Sequence, residues 1–117
     1  MLFHNGREVD ATAVKWNYER IKDPTKSHEF TRSALLSLKE VLAPDKYTVV
    51  CKLEQPSAAF PADVVFYPCN LMAPDSEAQA DTHPIGCGPF KFVKWECYSV
   101  TMLVSRAGRG SSSLGRP

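Results

Sequence analysis

The sequence lacks several features that would place the protein in a membrane or on nucleic acid. No stretch approaches the roughly 18 consecutive apolar residues of a transmembrane helix, and the N-terminus has neither the basic region nor the apolar stretch of a signal peptide. Basic and acidic side chains are nearly balanced, 14 against 13, whereas a protein that binds a phosphate backbone needs basic residues clustered on one face. We therefore predict no membrane insertion and no nucleic-acid partner.

Metal-binding and catalytic motifs are also missing. Zinc sites use close C-x-x-C or H-x-x-x-H pairs, but Cys51, Cys69, Cys87 and Cys97 are 18, 18 and 10 residues apart. Neither the G-x-S-x-G nucleophile motif nor the phosphate-binding G-x-x-x-x-G-K-[ST] motif occurs. His83 lies four residues before Cys87, but the intervening proline and glycine prevent the helix that would place both on one face. We predict no enzymatic activity, no metal site and no cofactor.

The four cysteines leave two alternatives open. They could be buried free thiols. In an exported protein, an even number of cysteines also permits up to two disulfides, with three possible connectivities.

The composition that is present is typical of one small globular domain. The chain has 117 residues, of which 44% are hydrophobic and 23% are charged. A globule of this size buries roughly two-thirds of the surface that its unfolded chain exposes. The sequence can therefore support one modest core.

Local signals predict an α+β fold with mixed or antiparallel strands. Gly6 completes an Asn-Gly pair suited to a tight turn, and Asp10 is a candidate N-cap for a helix of about three turns that ends before Pro24. The other predicted elements are a hairpin from Leu38 that turns at Pro44-Asp45 and continues to Leu53, short helices near 31–36 and 60–64, an extended segment over Phe66–Met72, a polar loop over Asp75–Asp81, and strands over Phe90–Trp95 and Ser99–Val104.

A glycine-containing turn leads directly into the first of these last two strands. It reads His83-Pro84-Ile85-Gly86-Cys87-Gly88-Pro89-Phe90-Lys91-Phe92-Val93-Lys94-Trp95. We predict that Gly86 and Gly88 adopt φ angles closed to other residues and that Pro89 fixes the entry into the strand. Trp16 and Trp95 are predicted to be packing residues, with Trp95 closing the end of its strand.

Four landmarks occur in the order and spacing of one protein family, and together they span residues 3 to about 105. They are Phe3-His4-Asn5-Gly6, the helix start at Asp10, Ala43-Pro44-Asp45-Lys46-Tyr47-Thr48-Val49-Val50, and the glycine turn through Trp95. In these landmarks the sequence resembles the extracytoplasmic solute-binding proteins of family 5, the peptide, oligopeptide and nickel receptors of ABC importers. Cys87 stands where this family usually has Thr or Ser.

The resemblance implies a fragment of a two-lobed periplasmic-binding-protein type II fold, with one amphipathic helix near the N-terminus and a short second helix. Residues 1–106 would form mainly the smaller lobe and its return into the main lobe. Gly6, Asp10 and Trp95 would be structural residues, and the turn over Gly86, Gly88 and Pro89 would help to set the hinge geometry.

The same resemblance identifies two candidate ligand contacts. The family strand that matches Phe66–Met72 runs beside the ligand cleft, so Tyr67 and Asn70 are the candidate ligand-binding residues. Tyrosine offers an aromatic surface and a hydroxyl, as is common in such pockets. The alternative is that both are ordinary residues at a strand end.

The implied function is that of the substrate-binding component of an ABC transporter. Such a protein binds a small-molecule solute, most often a peptide, outside the cytoplasm, either in the periplasm or at the extracellular side of the membrane, and delivers it to the permease subunits. Nickel chelates, oligosaccharides and opines remain open as solutes. A cleft needs both walls, so we expect the chain alone to bind such ligands weakly or not at all. The alternative is an independent small interaction or structural domain without transport activity.

The last residues differ in composition from the rest. Residues 107–117 are rich in Gly and Ser and contain no acid, which predicts a flexible low-complexity tail. Members of the family continue for several hundred residues beyond this point. We therefore expect that the reading frame is lost or the gene fragment ends near Arg106, and that the missing signal peptide reflects a missing front end.

Overall fold

The computed structural model describes residues 1–65 and 69–104. The predicted tail, residues 107–117, and Tyr67 lie outside these residues. The described elements are α1 (Ala11–Lys22), α2 (Glu29–Ser33), β1 (Leu38–Asp45), β2 (Thr48–Leu53), α3 (Phe60–Asp63), a 3-10 helix (Pro74–Gln79), β3 (Phe90–Glu96) and β4 (Ser99–Val104). None of the helices within these two ranges is long and apolar enough to cross a membrane. The α+β fold with antiparallel strands is as predicted.

Helix α1 begins and ends where the sequence signals predict. The Asp10 side chain accepts a hydrogen bond from the Ala13 backbone N–H at 2.8 Å, so it caps one of the amide groups that a helix start leaves unpaired. Asp23, the residue before proline, has an extended backbone and forms the C-cap. The predicted N-cap and helix end are therefore confirmed.

Strands β1 and β2 form an antiparallel hairpin, but its turn lies two residues beyond the predicted position. Asp45 is still in β1 and pairs with Thr48, so the turn residues are Lys46 and Tyr47, and the predicted Pro44-Asp45 turn is wrong. The Asp45 carboxylate accepts a hydrogen bond from the Tyr47 backbone N–H at 3.0 Å, which stabilises the turn after Asp45. Proline cannot donate to the strand ladder, and the pairing is irregular between Leu42 and Asp45, where Pro44 lies.

Two clusters of buried side chains form the core, and α1 contributes to both. The first cluster lies between α1 and the β1–β2 hairpin and contains Ile21, Leu35, Leu38, Val41 and Cys69. The second contains Phe3, Ala13 and Ala73. Ala13 and Ile21 are two helical turns apart, so one helix face serves both clusters.

The predicted polar loop is a 3-10 helix instead. Pro74 occupies its first turn, where the missing backbone N–H costs nothing, and the buried Ser76 hydroxyl donates to the Ala73 carbonyl at 2.8 Å. Immediately before this helix, Met72 forms an isolated antiparallel bridge with Gly86. Met72, the last residue of the predicted extended segment Phe66–Met72, is therefore extended as predicted, whereas Cys69 is in a 3-10 turn.

Strands β3 and β4 form a second antiparallel hairpin, with Glu96 paired to Ser99. Both strands agree with the predicted ranges to within one residue. The predicted packing role of Trp95 is wrong among the described residues, because its side chain is 73% exposed. Trp16 is half-buried, and the Arg20 guanidinium lies 5.6 Å from its ring centroid, a cation–π contact.

Candidate ligand-binding groove

Two backbone segments that are distant in sequence form a groove of about 380 Å³. The Met72–Gly86 bridge and a hydrogen bond from the Ala73 N–H to the Ile85 carbonyl, 2.9 Å, hold the segments side by side. The groove is lined by Asn70, Leu71, Gly86, Cys87, Gly88 and Pro89. The structure thus places the predicted ligand residue Asn70 next to the glycine turn. The sequence analysis predicted separate roles for these two features.

Asn17 supports one wall of the groove from behind. Its side chain is fully buried; Nδ2 donates to the Met72 carbonyl at 2.8 Å, and Oδ1 accepts from the Met72 N–H at 3.0 Å. A second Nδ2 hydrogen bond goes to the Ala13 carbonyl, 2.9 Å, within the same helix. The backbone next to Leu71 is therefore fixed to α1 by a satisfied buried amide.

The N-terminal turn holds the other wall. The His4 backbone N–H donates to the Gly86 carbonyl at 2.9 Å, and His4 Nε2 lies 2.9 Å from the Gly88 carbonyl oxygen. Because a carbonyl oxygen only accepts, Nε2 carries a proton in this arrangement. Gly6 closes the turn by donating to the Phe3 carbonyl, and its φ of 88° lies in the left-handed region that favours glycine. The prediction of a glycine-dependent turn at Gly6 is confirmed.

The conformational prediction for Gly86 and Gly88 is wrong, because neither has a positive φ. Gly86 lies in the extended bridge to Met72, a conformation that any residue can adopt. A Cβ atom on Gly86 would lie 3.8 Å from the Leu71 carbonyl oxygen, and one on Gly88 would meet no atom within 4 Å. These glycines leave space in the groove and do not relieve backbone strain.

The groove wall is electrically neutral. Cys87 is the ionisable side chain among its lining residues, and burial raises the pKa of this thiol, which keeps it uncharged at pH 7. The His83 ring packs edge-on against Phe92 at a centroid distance of 5.3 Å. The exposed Asn70 amide can both donate and accept hydrogen bonds. The groove therefore suits the neutral, polar part of a ligand.

A second cavity, of about 330 Å³, lies between α1 and β1 and has a different character. It is lined by Glu19, Lys22, Asp23, Lys39, Glu40 and Val41. Charges of both signs surround it, and the Lys22 ammonium already donates to the carbonyls of Leu38 and Lys39. In residues 1–65 and 69–104, no three His, Cys, Asp or Glu side chains are grouped so as to hold a metal ion.

Sequence reasoning missed two residues that build the groove, His4 and Asn17. Asn17 lies four residues after Ala13 and four before Ile21, so it is a polar residue on the buried face of an amphipathic helix. Such a residue must find a hydrogen-bond partner, and this was the available signal. The hydrogen-bond partner of His4, the Gly88 carbonyl, is 84 residues away, so no local sequence pattern indicates this contact.

The structure is thus an α+β unit with a neutral groove and one exposed amide. The family model "Bacterial extracellular solute-binding proteins, family 5 Middle" matches residues 1–107, and the chain belongs to this family. The resemblance read from the four sequence landmarks is thereby confirmed.

Relatives of known structure or function agree with this assignment. The glutathione-binding protein GsiB of Pectobacterium atrosepticum is 34% identical over 100 residues, which cover 80% of this chain and 19% of that protein. The solved structure of AgaA in complex with agropinic acid, from A. tumefaciens R10, is 31% identical with a TM-score of 0.73, over 81% of this chain and 20% of that one. OppA of Burkholderia pseudomallei, 22% identical, shares the fold with a TM-score of 0.79, over 90% of this chain and 25% of that one. The chain thus spans about one fifth of the length of the first two of these relatives.

Proposed function

We propose that the chain is a segment of the substrate-binding component of an ABC importer, which binds a solute and delivers it to the permease without catalysis. It would act outside the cytoplasm, in the periplasm or at the extracellular face. Membership of an extracellular solute-binding family supports this proposal. The groove beside Asn70 is the observation that carries it, since Asn70 was the expected ligand contact and lines this groove.

The proposed solute is a peptide or a peptide-like molecule. A similar protein is described as glutathione-binding, and another was solved with agropinic acid. An Asn side chain offers an amide N–H donor and a carbonyl acceptor, the same pair of groups that a peptide backbone presents. The neutral wall around it would accept a peptide backbone without placing a charged side chain against it. Asn70, together with Tyr67, is the proposed ligand contact.

The glycine turn is the proposed hinge element. Solute receptors that have two lobes close around their ligand when one lobe rotates about a few hinge residues at the ends of helices or strands. Residues 86–89 connect the groove to β3 and are held by the two hydrogen bonds from His4. In this proposal residues 1–106 supply one wall of the cleft and the start of the return into the main lobe, and residues 107–117 form a separate tail.

Mapping of backbone amide shifts by NMR tests the proposed site. Millimolar glutathione or a short peptide should shift the amides of Asn70, Leu71 and Gly86–Gly88, and Asn70→Ala should reduce the shifts. Lys39→Ala is the matched control, because Lys39 lines the other cavity. Shifts confined to the α1–β1 cavity, or shifts at the groove that Asn70→Ala leaves unchanged, would contradict the proposed groove.

A further inference from the structure

The four cysteines lie in different parts of the molecule, and two of them share one buried cluster. Cys69 is a member of the first core cluster, between α1 and the β1–β2 hairpin, and Cys51 packs against the same cluster. Cys87 packs against the second cluster, and Cys97 is exposed. A disulfide requires Cα atoms about 4.4–6.8 Å apart, so two cysteines of one cluster are the candidates for such a bond.

The strand register directs Cys51 into this cluster. Cys51 in β2 is the antiparallel partner of Val41 in β1, and residues directly opposite each other have their side chains on the same face of a hairpin. Val41 is a buried member of the first cluster. The Cys51 thiol therefore lies on the face of the hairpin that packs against α1.

Cys69 enters the cluster from the segment that follows α3. Its side chain is buried, and Sγ lies 3.6 Å from the Asp63 carbonyl oxygen, which accepts a weak hydrogen bond from the thiol. Tyr18 of α1 lies near both sulfur atoms. Burial raises the pKa of the Tyr18 hydroxyl, and the nearby thiols of Cys51 and Cys69 raise it further. Both sulfur atoms are thus within electrostatic reach of one hydroxyl.

Chain geometry excludes a bond between the other two cysteines. Strand β3 runs between Cys87 and Cys97 and is seven residues long. A strand rises about 3.3 Å per residue, so this one spans roughly 20 Å. That length is far beyond the Cα separation that a disulfide permits. Of the three connectivities that four cysteines allow, none therefore forms in full, and the first cluster provides for a single bond.

We propose that Cys51 and Cys69 form a disulfide when the protein is in an oxidising compartment, and that Cys87 and Cys97 stay free. This inference rests on the proposed location outside the cytoplasm, where protein disulfides form and persist. The bond ties β2 to the residue immediately before Asn70, the proposed ligand contact. It therefore holds the groove wall from the side of the first hairpin, in addition to the hydrogen bonds from Asn17 in α1.

The bond forms by two successive thiol–disulfide exchanges with a small disulfide oxidant such as glutathione disulfide. The thiolate of Cys51, the less buried of the pair, attacks one sulfur of the oxidant, forms a mixed disulfide and releases one thiol. The Cys69 thiolate then attacks the Cys51 sulfur and releases the second thiol. The protein thiols lose two protons and two electrons, and the oxidant gains them. Burial raises the pKa of both protein thiols, so the reaction is faster at higher pH.

Oxidation of the whole 117-residue chain by glutathione disulfide, followed by peptide mapping, tests the proposal. No Lys or Arg lies between Cys69 and Cys87, so trypsin has to be combined with a protease that cleaves at aspartate, which separates them at Asp81. We expect the Cys51–Cys69 link to exceed every other link at least about tenfold. Mass spectrometry of the digests measures each link.

The same oxidation in concentrated urea is the reference for an unfolded chain. There the shortest loop closes most readily, so the Cys87–Cys97 link should dominate. Cys51→Ser and Cys87→Ser are matched variants, because both thiols are partly buried. Under folding conditions Cys87→Ser should form the Cys51–Cys69 link as the wild type does, and Cys51→Ser should leave Cys69 reduced. Backbone amide spectra of α1 show that each variant is folded.

Two results would overturn the proposal. The first is a folded chain in which Cys51 and Cys69 stay reduced in excess glutathione disulfide. The second is a folded chain whose links are distributed as in urea, which would mean that the fold does not bring these two cysteines together. Neither result depends on a bound solute. Failure of the proposed solute binding would therefore leave the cysteine pairing intact, and a missing disulfide would leave the solute proposal intact.

Discussion

The side-chain amide of Asn17 hydrogen-bonds both backbone groups of Met72, with Nδ2 to the carbonyl at 2.8 Å and Oδ1 to the N–H at 3.0 Å. The amide thereby pairs with Met72 in the way that a neighbouring strand would. Met72 is also bridged to Gly86, so its backbone is held between α1 and the glycine turn. One buried side chain thus positions the wall that carries Asn70 and Leu71.

Replacing Asn17 by Leu should destabilise the protein by about 3 kcal/mol, because a buried donor and a buried acceptor on Met72 lose their partner. Urea denaturation measures this. Asn70→Leu is the control, since Asn70 is exposed, and it should change stability by less than about 0.5 kcal/mol. A loss below about 1 kcal/mol for Asn17→Leu would show that Met72 is paired in another way.

Alanine at Gly6 should be costly, whereas alanine at Gly88 should not. The φ of 88° at Gly6 lies in a region where a Cβ atom costs about 1–2 kcal/mol. Gly88 has open space around it and no positive φ, so Gly88→Ala should change stability by less than about 0.5 kcal/mol. Thermal denaturation of the two variants checks the difference. Equal costs would mean that the glycine turn is strained after all.

Tyr98 has a φ of 65° in the β3–β4 turn, which is unusual for an aromatic residue. Tyr98→Asn should therefore stabilise the hairpin by about 0.5–1 kcal/mol, because asparagine tolerates this conformation better. Tyr98→Ala is the control, since it also removes the exposed ring but keeps the backbone penalty. Hydrogen exchange of β3 and β4 amides measures the gain. A similar gain in both variants would assign the effect to the ring and not to the backbone.

Hydrogen bonds from Lys46 and Tyr47 hold the pKa of Glu8 below its ordinary value of 4.5. The Tyr47 hydroxyl donates to Glu8 at 2.7 Å, and the Lys46 ammonium pairs with the other carboxylate oxygen. Since the folded-state pKa is the lower one, the stabilisation is fully present above about pH 4.5 and is lost as the pH falls through the folded value.

Glu8→Gln should accordingly be less stable than the wild type at pH 7, and the difference should shrink as the pH falls below 4.5. Denaturation series at several pH values measure the difference. Glu29→Gln, a substitution at an exposed glutamate, controls for the general effect of removing one negative charge. A difference that stays constant with pH would exclude the Glu8 carboxylate as the titrating group.

Thiol alkylation should distinguish the four cysteines, all of which are free in the structure. The exposed Cys97 should react first and the buried Cys69 last, because burial raises the pKa of Cys69 and blocks access. A peptide that occupies the groove should slow the reaction of Cys87 and leave that of Cys51 unchanged. Mass spectrometry after timed alkylation reads both rates. Equal protection of Cys51 would indicate a general stabilisation and not occupancy of the groove.

The parts of the fold that the sequence predicted correctly depend on local signals. Asp10 and Pro24 mark the start and the end of α1 and lie within two residues of it. The alternation of apolar and polar side chains is sufficient to identify β3 and β4. The turn after β1 was misplaced because Pro44-Asp45 has the composition of a turn, while the side-chain bond from Asp45 to Tyr47 places it further along.

The groove was predictable only in part, for a physical reason. Asn70 and the glycine turn were recognised through the family resemblance, but their adjacency depends on the Met72–Gly86 bridge. Asn17 acts on a residue 55 positions away, so no window of the sequence contains both partners. Gly86 and Gly88 were predicted to be required for their backbone conformation. Neither has a positive φ, and their lack of a side chain instead leaves space in the groove.

Helix α1 supplies Ala13 to one buried cluster and Ile21 to the other. The cluster beside the groove and the cluster beneath the β1–β2 hairpin therefore pack against the same helix. A substitution that displaces α1 is expected to disturb the groove wall and the first hairpin together.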